Sequence, residues 1–552
     1  MRTLLFSLLL LAAGPVLADQ QTTGKLVNKT AYIPPQCYTQ TRTRTGVANP
    51  CMTCHVRSRA PHYINDYDLQ FDYSFPAPAR VNPWTNLFAD RRDDIAAMPD
   101  DQIMTYVRQS NYIAQGGNLL AQRLAGDLPE GWDQDGDGRW SGYVPDLALN
   151  FDPEGFDIAA DGTPTGWRAF AYTPLPGSFW PTNGSGDDVL IRLPEIYRQA
   201  EDGQPDRQIY ALNLAITEAL IKRQDVPIPA TDEAPLGVDL DRDGQIGQAL
   251  KVGFDWAPRQ GRDMQWVGAA RLAQQRGDAP LAAGLYPLGT EFIHSLRYLD
   301  VQDGKVVMAP RMKELRYMRK TRWLSWFDRE DGALAEAKER VDFPDRIAMF
   351  FGDSETGISN GTGWRLQAFI EDATGDLRPQ NFEETVFCMG CHGGIGVNDD
   401  DTFAFPRKLA ANTAKGGWWH WTQRDGLAGV AQPVRADGNP EYAFYLRANR
   451  GGDELRANTE VIQTYLRDNG TLDPGHSQAL LTDIGPLVTP SAERAVALNK
   501  AYRLIVQDQS FIRGRDAVLA PATTVHRSVP EGETTGITTE IAPWYSLRPV
   551  RH

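Results

Sequence analysis

The chain has 552 residues, 41% of them hydrophobic, and a formal net charge of −15. That length and apolar content exclude a disordered polypeptide and allow several domains, while the acidic balance argues against nucleic acid or an anionic membrane as the main partner. Fifty glycines, 37 prolines and 14 tryptophans suit a loop-rich, aromatic-rich protein that wraps large flat cofactors.

The N-terminus combines Arg2, an apolar run from Leu4 to Ala13, and small residues at Val16 and Ala18, the pattern of a cleaved secretory signal over residues 1–18. The run is shorter than the ~20 apolar residues of a membrane helix, and no cysteine lies near the cleavage site for lipid attachment. The mature chain is expected to start near Asp19, to carry no transmembrane segment, and to be periplasmic or secreted. Cys37, in "PPQCYTQ", is the odd one of five cysteines. An unpaired thiol in an exported chain is an iron ligand, an oxidation target, or simply a small buried residue.

"NPCMTCH" then places Cys51, Cys54 and His55 in a Cys-x-x-Cys-His pattern, and "TVFCMGCH" repeats it with Cys388, Cys391 and His392. Two thiols one helical turn apart can add to the two vinyl groups of a haem, and the adjacent histidine then lies under the iron. Half of a zinc knot and a thioredoxin-like redox pair share the Cys-x-x-Cys spacing but leave the histidine unexplained. The motifs resemble those of c-type cytochromes, and the chain is similar in this respect to a large di-haem c-type cytochrome. The resemblance implies two covalently bound haem c groups with His55 and His392 as proximal ligands.

Distal ligands must come from the remaining histidines. His62 follows the first motif closely. His294 lies in "TEFIHSLRYLDVQDGKVVMAPRMKELRYMRK", which reads as two strands around a "QDG" turn, with Phe292, His294, Leu296 and Tyr298 on one face. His420 is set among Trp418, Trp419 and Trp421 in "GGWWHWTQ". His476 and His526 are weaker choices, as are Met312 and Met318.

Between the motifs, "DQDGDGRWSG" and "DLDRDGQIGQ" both read Asp-x-Asp-x-Asp-Gly. Asp133, Asp135 and Asp137, and likewise Asp239, Asp241 and Asp243, resemble the first half of an EF-hand-type calcium loop, in which alternate carboxylates converge on a hard cation. Where that loop has its last glutamate these carry Val144 and Leu250, so the final carboxylate comes from elsewhere, Asp146 being a choice for the first. The alternative is an acidic turn without an ion.

Helical periodicity is clearest at 207–223, 454–467 and 491–508. The expected fold is mainly α with extensive irregular loops and a small β component. Its regions are an N-terminal haem region at 19–130, a middle region with the two calcium-type loops and a strand pair at 131–375, and a C-terminal haem region at 376–552. The expected function is electron transfer between periplasmic or extracellular partners, with a redox protein presenting a basic docking surface. The alternatives are a di-haem oxidoreductase of peroxidase or oxygenase type, with one catalytic haem, and a structural component of an extracellular cytochrome complex. Catalytic residues and oligomeric state are not legible.

Overall fold

The structure is a computed structural model, which describes residues 26–43, 46–115, 117–177, 181–411, 413–449 and 457–543. The signal sequence expected at 1–18 lies outside the described residues.

The centre of the molecule is a ten-stranded antiparallel sheet rather than a set of helices. This corrects the expectation of a mainly α fold. The strands are β1 (Phe156–Ile158), β2 (Pro164–Ala169), β3 (Gly186–Asp187), β4 (Leu190–Arg192), β5 (Glu291–Gln302), β6 (Lys305–Lys320), β7 (Phe351–Asp353), β8 (Gly357–Ser359), β9 (Trp364–Glu371) and β10 (Leu377–Pro379). Their order across the sheet is β7-β8-β9-β6-β5-β4-β2-β1, with β10 pairing with β9 and β3 pairing with β5. Most strands are two or three residues long, too short to leave an alternating pattern in the sequence.

The long hairpin β5–β6 organises the rest. Its turn places Asp303 and Gly304 at φ 50° and 77°, the pair of left-handed residues that a two-residue hairpin turn requires and that Asp-Gly supplies at low cost. The register runs from Gln302↔Lys305 to Glu291↔Arg319, with bulges on either side of Arg297. Those bulges divide the face expected from simple alternation. Phe292, His294 and Leu296 line a large cavity, whereas Tyr298 packs in a separate cluster with Tyr502, Ile505 and Ile370.

Two of the expected helices form, α1 over Arg207–Lys222 and α3 over Ala492–Asp508, each begun by a side-chain cap from Asp206 or Ser491. Between them α2 spans Trp326–Asp342 and starts with a capping box of Ser325 and Asp328. Of the stretch expected helical at 454–467, Thr459–Tyr465 is helical, and residues 454–456 lie outside the described residues. Helix α1 is buried nearly all round, and α3 packs Leu498, Tyr502 and Ile505 against β5 and β9 residues. Among the described residues no helix is long and apolar enough to cross a membrane.

Candidate functional site

The two Cys-x-x-Cys-His segments adopt the same local turn. In the first, the amides of Cys54 and His55 donate to the Cys51 carbonyl at 3.2 and 2.9 Å; in the second, those of Cys391 and His392 donate to the Cys388 carbonyl at 3.1 and 3.0 Å. Each turn holds its two thiols on one side of the chain, as the spacing alone dictates.

Tertiary structure adds that both turns face one chamber. The Val397 amide donates to the Cys54 carbonyl at 3.1 Å, and Val56 packs with Val397, Cys54, Ile395 and Phe403. At Gly396 any Cβ would collide with the Val56 carbonyl oxygen, so glycine is what permits this approach. The resulting cavity measures about 1270 Å³ and is walled by Cys51, Cys54, His55, Cys388, Cys391, His392, His294 and Cys37. It exceeds the roughly 300–1,000 Å³ of a typical single-ligand site.

All five cysteines are free of disulfides. Burial pushes the Cys51 thiol up to about 12 and that of Cys391 to about 11, and raises Cys54, Cys388 and Cys37 as well. A redox-active Cys-x-x-Cys pair is favoured by the opposite shift. The thiols and imidazoles assemble no zinc cluster. Among the described residues, groups of three or more ligand atoms close enough for one metal ion are Asp133, Asp135, Glu355 and Glu233, Asp239, Asp241.

His55 and His392 are both held through Nδ1. His55 Nδ1 lies 2.8 Å from Asp66 Oδ2, and His392 Nδ1 lies 2.8 Å from the Asp401 carbonyl oxygen. Carboxylate and carbonyl oxygens only accept, so Nδ1 donates in each case and the lone pair of the neutral ring sits on Nε2. Burial lowers His392 from the ordinary histidine range, which favours that neutral form. Both rings thus offer Nε2, the nitrogen a metal would take.

The loop that presents the Asp401 carbonyl is unusual. Asp400 and Asp401 have φ values of 48° and 62°, a left-handed conformation costly for two successive non-glycine residues. Their buried carboxylates are clamped by cations. Asp400 takes Lys320 at 2.5 Å and Arg329 at 3.0 Å, Asp401 takes Arg329 at 3.1 Å, and Asp399 takes Arg59 at 2.6 Å and Arg223 at 3.4 Å. Sequence reasoning missed this loop, although the run of three aspartates just after the second motif was a visible signal. It also missed Asp66, for which no local signal exists.

The other histidines are placed differently. His294 lies in the cavity wall, 3.9 Å from Asp187 through Nδ1. Burial, helped by the charges of Arg316 and His392, lowers it to about 3. His62 also borders the cavity, but its Nε2 donates to the Ile395 carbonyl at 2.7 Å and its Nδ1 faces the Arg329 guanidinium at 3.4 Å. His420 is not brought to the cavity. It donates through Nε2 to Asp188 at 2.8 Å, contacts Thr422 through Nδ1 at 2.9 Å and stacks on Phe151. Burial alone would raise the Asp188 carboxyl, but the His420 hydrogen bond and charge, with Arg297, outweigh it and hold it at about 2. Both rings have their lone pairs and protons engaged by protein groups.

The two acidic loops are built alike. Asp133 accepts the amides of Gly136 and Gly138 at 2.6 and 2.8 Å, and Asp239 those of Arg242 and Gly244 at 2.8 and 2.9 Å. Each is closed by a buried glutamate from outside the loop. Glu355, between β7 and β8, accepts the amides of Gln134 and Ser141, both at 2.7 Å. Glu233, after the strand Val226–Asp232, accepts those of Leu240 and Gly247 at 2.5 and 2.9 Å. Relative to the first aspartate these are the same two amides. Asp146 has another role, accepting from Tyr143, Trp167 and Arg192. Asp137 and Asp243 accept from the Arg139 and Gln245 amides and stand apart from the converging carboxylates.

A family model described as "-like lipoprotein" matches residues 22–480. An "Uncharacterized lipoprotein" of Aquifex aeolicus (strain VF5) is 32% identical over 559 residues, covering 91% of this chain and 88% of the relative. No solved structure matches the chain. These matches overturn the assignment to the c-type cytochromes and the expected function of carrying electrons between redox partners, and with it the peroxidase- or oxygenase-like alternative, because the family they define is one of lipoproteins; they bear on family and function, not on what the cysteine motifs hold. Such a family implies an exported protein, in agreement with the coarse localisation expected from the sequence. With the match spanning most of its length, the chain belongs to the "-like lipoprotein" family.

Proposed function

We propose that this lipoprotein-family member is an exported cofactor-holding protein whose central chamber takes two haem groups, each bound covalently through one Cys-x-x-Cys-His segment. The observation that carries the reading is the convergence of both segments on one cavity, with each histidine fixed through Nδ1 and its Nε2 left to a ligand. The donor set fits the group. Paired, unoxidised thiols one turn apart suit thioether attachment, an imidazole follows each pair, and the chamber is too large for one small ligand. Cys51, Cys54 and His55 would hold one haem, and Cys388, Cys391 and His392 the other. His294 is the distal residue best supported, since it lies in the same wall and near enough to His392 for their charges to interact. A haem so held supplies an iron whose reactivity is set by its axial ligands and their hydrogen bonds. Calcium at the Asp133 and Asp239 loops, completed by Glu355 and Glu233, is part of the same proposal, as is removal of an export leader ending near residue 18.

The test is chemical. Denatured protein purified from an exporting host should retain haem absorbance equivalent to two groups per chain, and replacing Cys51, Cys54, Cys388 and Cys391 together by serine should abolish it. An intact mass equal to that of the bare polypeptide, with free thiols, would overturn the reading.

A further inference from the structure

Resting on the proposed haem attachment, we infer that Asp66 is a positioning residue that makes the two sites unequal, giving the iron on His55 the lower reduction potential. The two imidazoles are held by chemically different acceptors. His55 donates to a carboxylate, Asp66 Oδ2, at 2.8 Å, whereas His392 donates to a neutral carbonyl at the same distance.

Asp66 is 4% exposed, and its other oxygen accepts the amides of Val56 and Gly396, each at 3.2 Å. Among the described residues it forms an ion pair with His55 and with no lysine or arginine. No paired cation among the described residues therefore offsets its charge at the imidazole. Around His392 cations are in excess. The carboxylates of Asp399, Asp400 and Asp401 are each paired with arginine or lysine, and the Arg316 guanidinium, which shares the single Glu314 carboxylate with Arg515 at 2.9 and 2.8 Å, is close enough for its charge to act on Cys388, Cys391 and His392.

A hydrogen bond from Nδ1 to a buried carboxylate draws the proton away from the ring and makes Nε2 a stronger donor. A stronger axial donor favours the ferric over the ferrous iron, and a nearby cation does the opposite. Both differences act in the same direction.

Asp66→Asn keeps the side-chain shape and an acceptor oxygen while removing the charge. Redox titration of the exported, haem-loaded protein should resolve two midpoints. In the variant the lower one should rise by about tenfold in its equilibrium constant, 59 mV for one electron, the other should stay, and the iron–histidine Raman stretch of one site should fall. Two haems per chain with both midpoints unmoved would overturn the inference; a chain without covalent haem would instead end the reading on which it rests. Should Asp66→Asn not fold, single-haem proteins decide. The haem left on His55 by Cys388→Ser with Cys391→Ser should have a lower potential than that left on His392 by Cys51→Ser with Cys54→Ser, and the reverse order refutes the idea.

Discussion

Replacing Asp400 by asparagine should destabilise the protein by about 3–5 kcal/mol, the cost of leaving a buried charge without its partner. The Asp400 carboxylate accepts from Lys320 Nζ at 2.5 Å, Arg329 Nη1 at 3.0 Å and the Tyr286 amide at 2.8 Å. Arg329 would keep Asp401, but Asp400 is the one ion-pair partner of Lys320 among the described residues, and Lys320 is 1% exposed. Asparagine tolerates the left-handed backbone at this position as well as aspartate does, so the backbone contributes little to the difference. Burial already lowers Lys320 against the opposing pull of Asp400. Without that pull the folded state should hold it uncharged, while the unfolded lysine keeps its proton up to ~10.4. The sign follows: the penalty is largest below neutrality and shrinks as pH rises toward ~10. Urea unfolding at several pH values would measure it, with an unchanged m-value indicating that only stability has moved. Adding Lys320→Met should recover much of the loss, because removing both partners of a buried pair costs less than removing one. A loss below about 1 kcal/mol at pH 7, with no recovery in the double variant, would refute the claim that this clamp holds the strained loop.

Two further outcomes follow from the site. Glu355→Gln and Glu233→Gln should each remove one calcium ion per chain by metal analysis, and chelation should lower the unfolding midpoint of the unmodified protein but leave the double variant unmoved; protein never exposed to chelator that carries no calcium would leave only an acidic turn closed by a glutamate. In polypeptide lacking covalent haem, the folded state resists protonating His294, lowered to about 3, whereas the unfolded state takes that proton near 6.5, so stability falls as pH drops through this window by roughly 1.4 kcal/mol per unit. Unfolding measured against pH should show His294→Phe losing one proton's worth of that slope, and superimposable slopes would show that this histidine does not resist protonation.

The sequence by itself determined the local chemistry. Cys-x-x-Cys-His closes one turn wherever it stands, Asp-Gly makes the tip of β5–β6, and the apolar period of 207–222 and 492–508 makes helices, because each outcome depends on residues within a few positions. The same holds for the aspartates that cap their own loops. Tertiary structure alone decided the rest. The hairpin β5–β6 was legible from its alternation, but the ten-stranded sheet built on it was hidden because most of the other strands are only two or three residues long, too short to carry a pattern. The meeting of the two motifs depends on Val56, Gly396 and Val397, and the acceptors behind their histidines are Asp66 and the Asp401 carbonyl. Glu355 closes an acidic loop far upstream of it, and Glu233 closes one just downstream. None of these partners stands at a fixed spacing from the group it serves. Burial of that group creates the need for a partner, and a partner for a buried polar atom can come from any segment that the fold brings within hydrogen-bond reach.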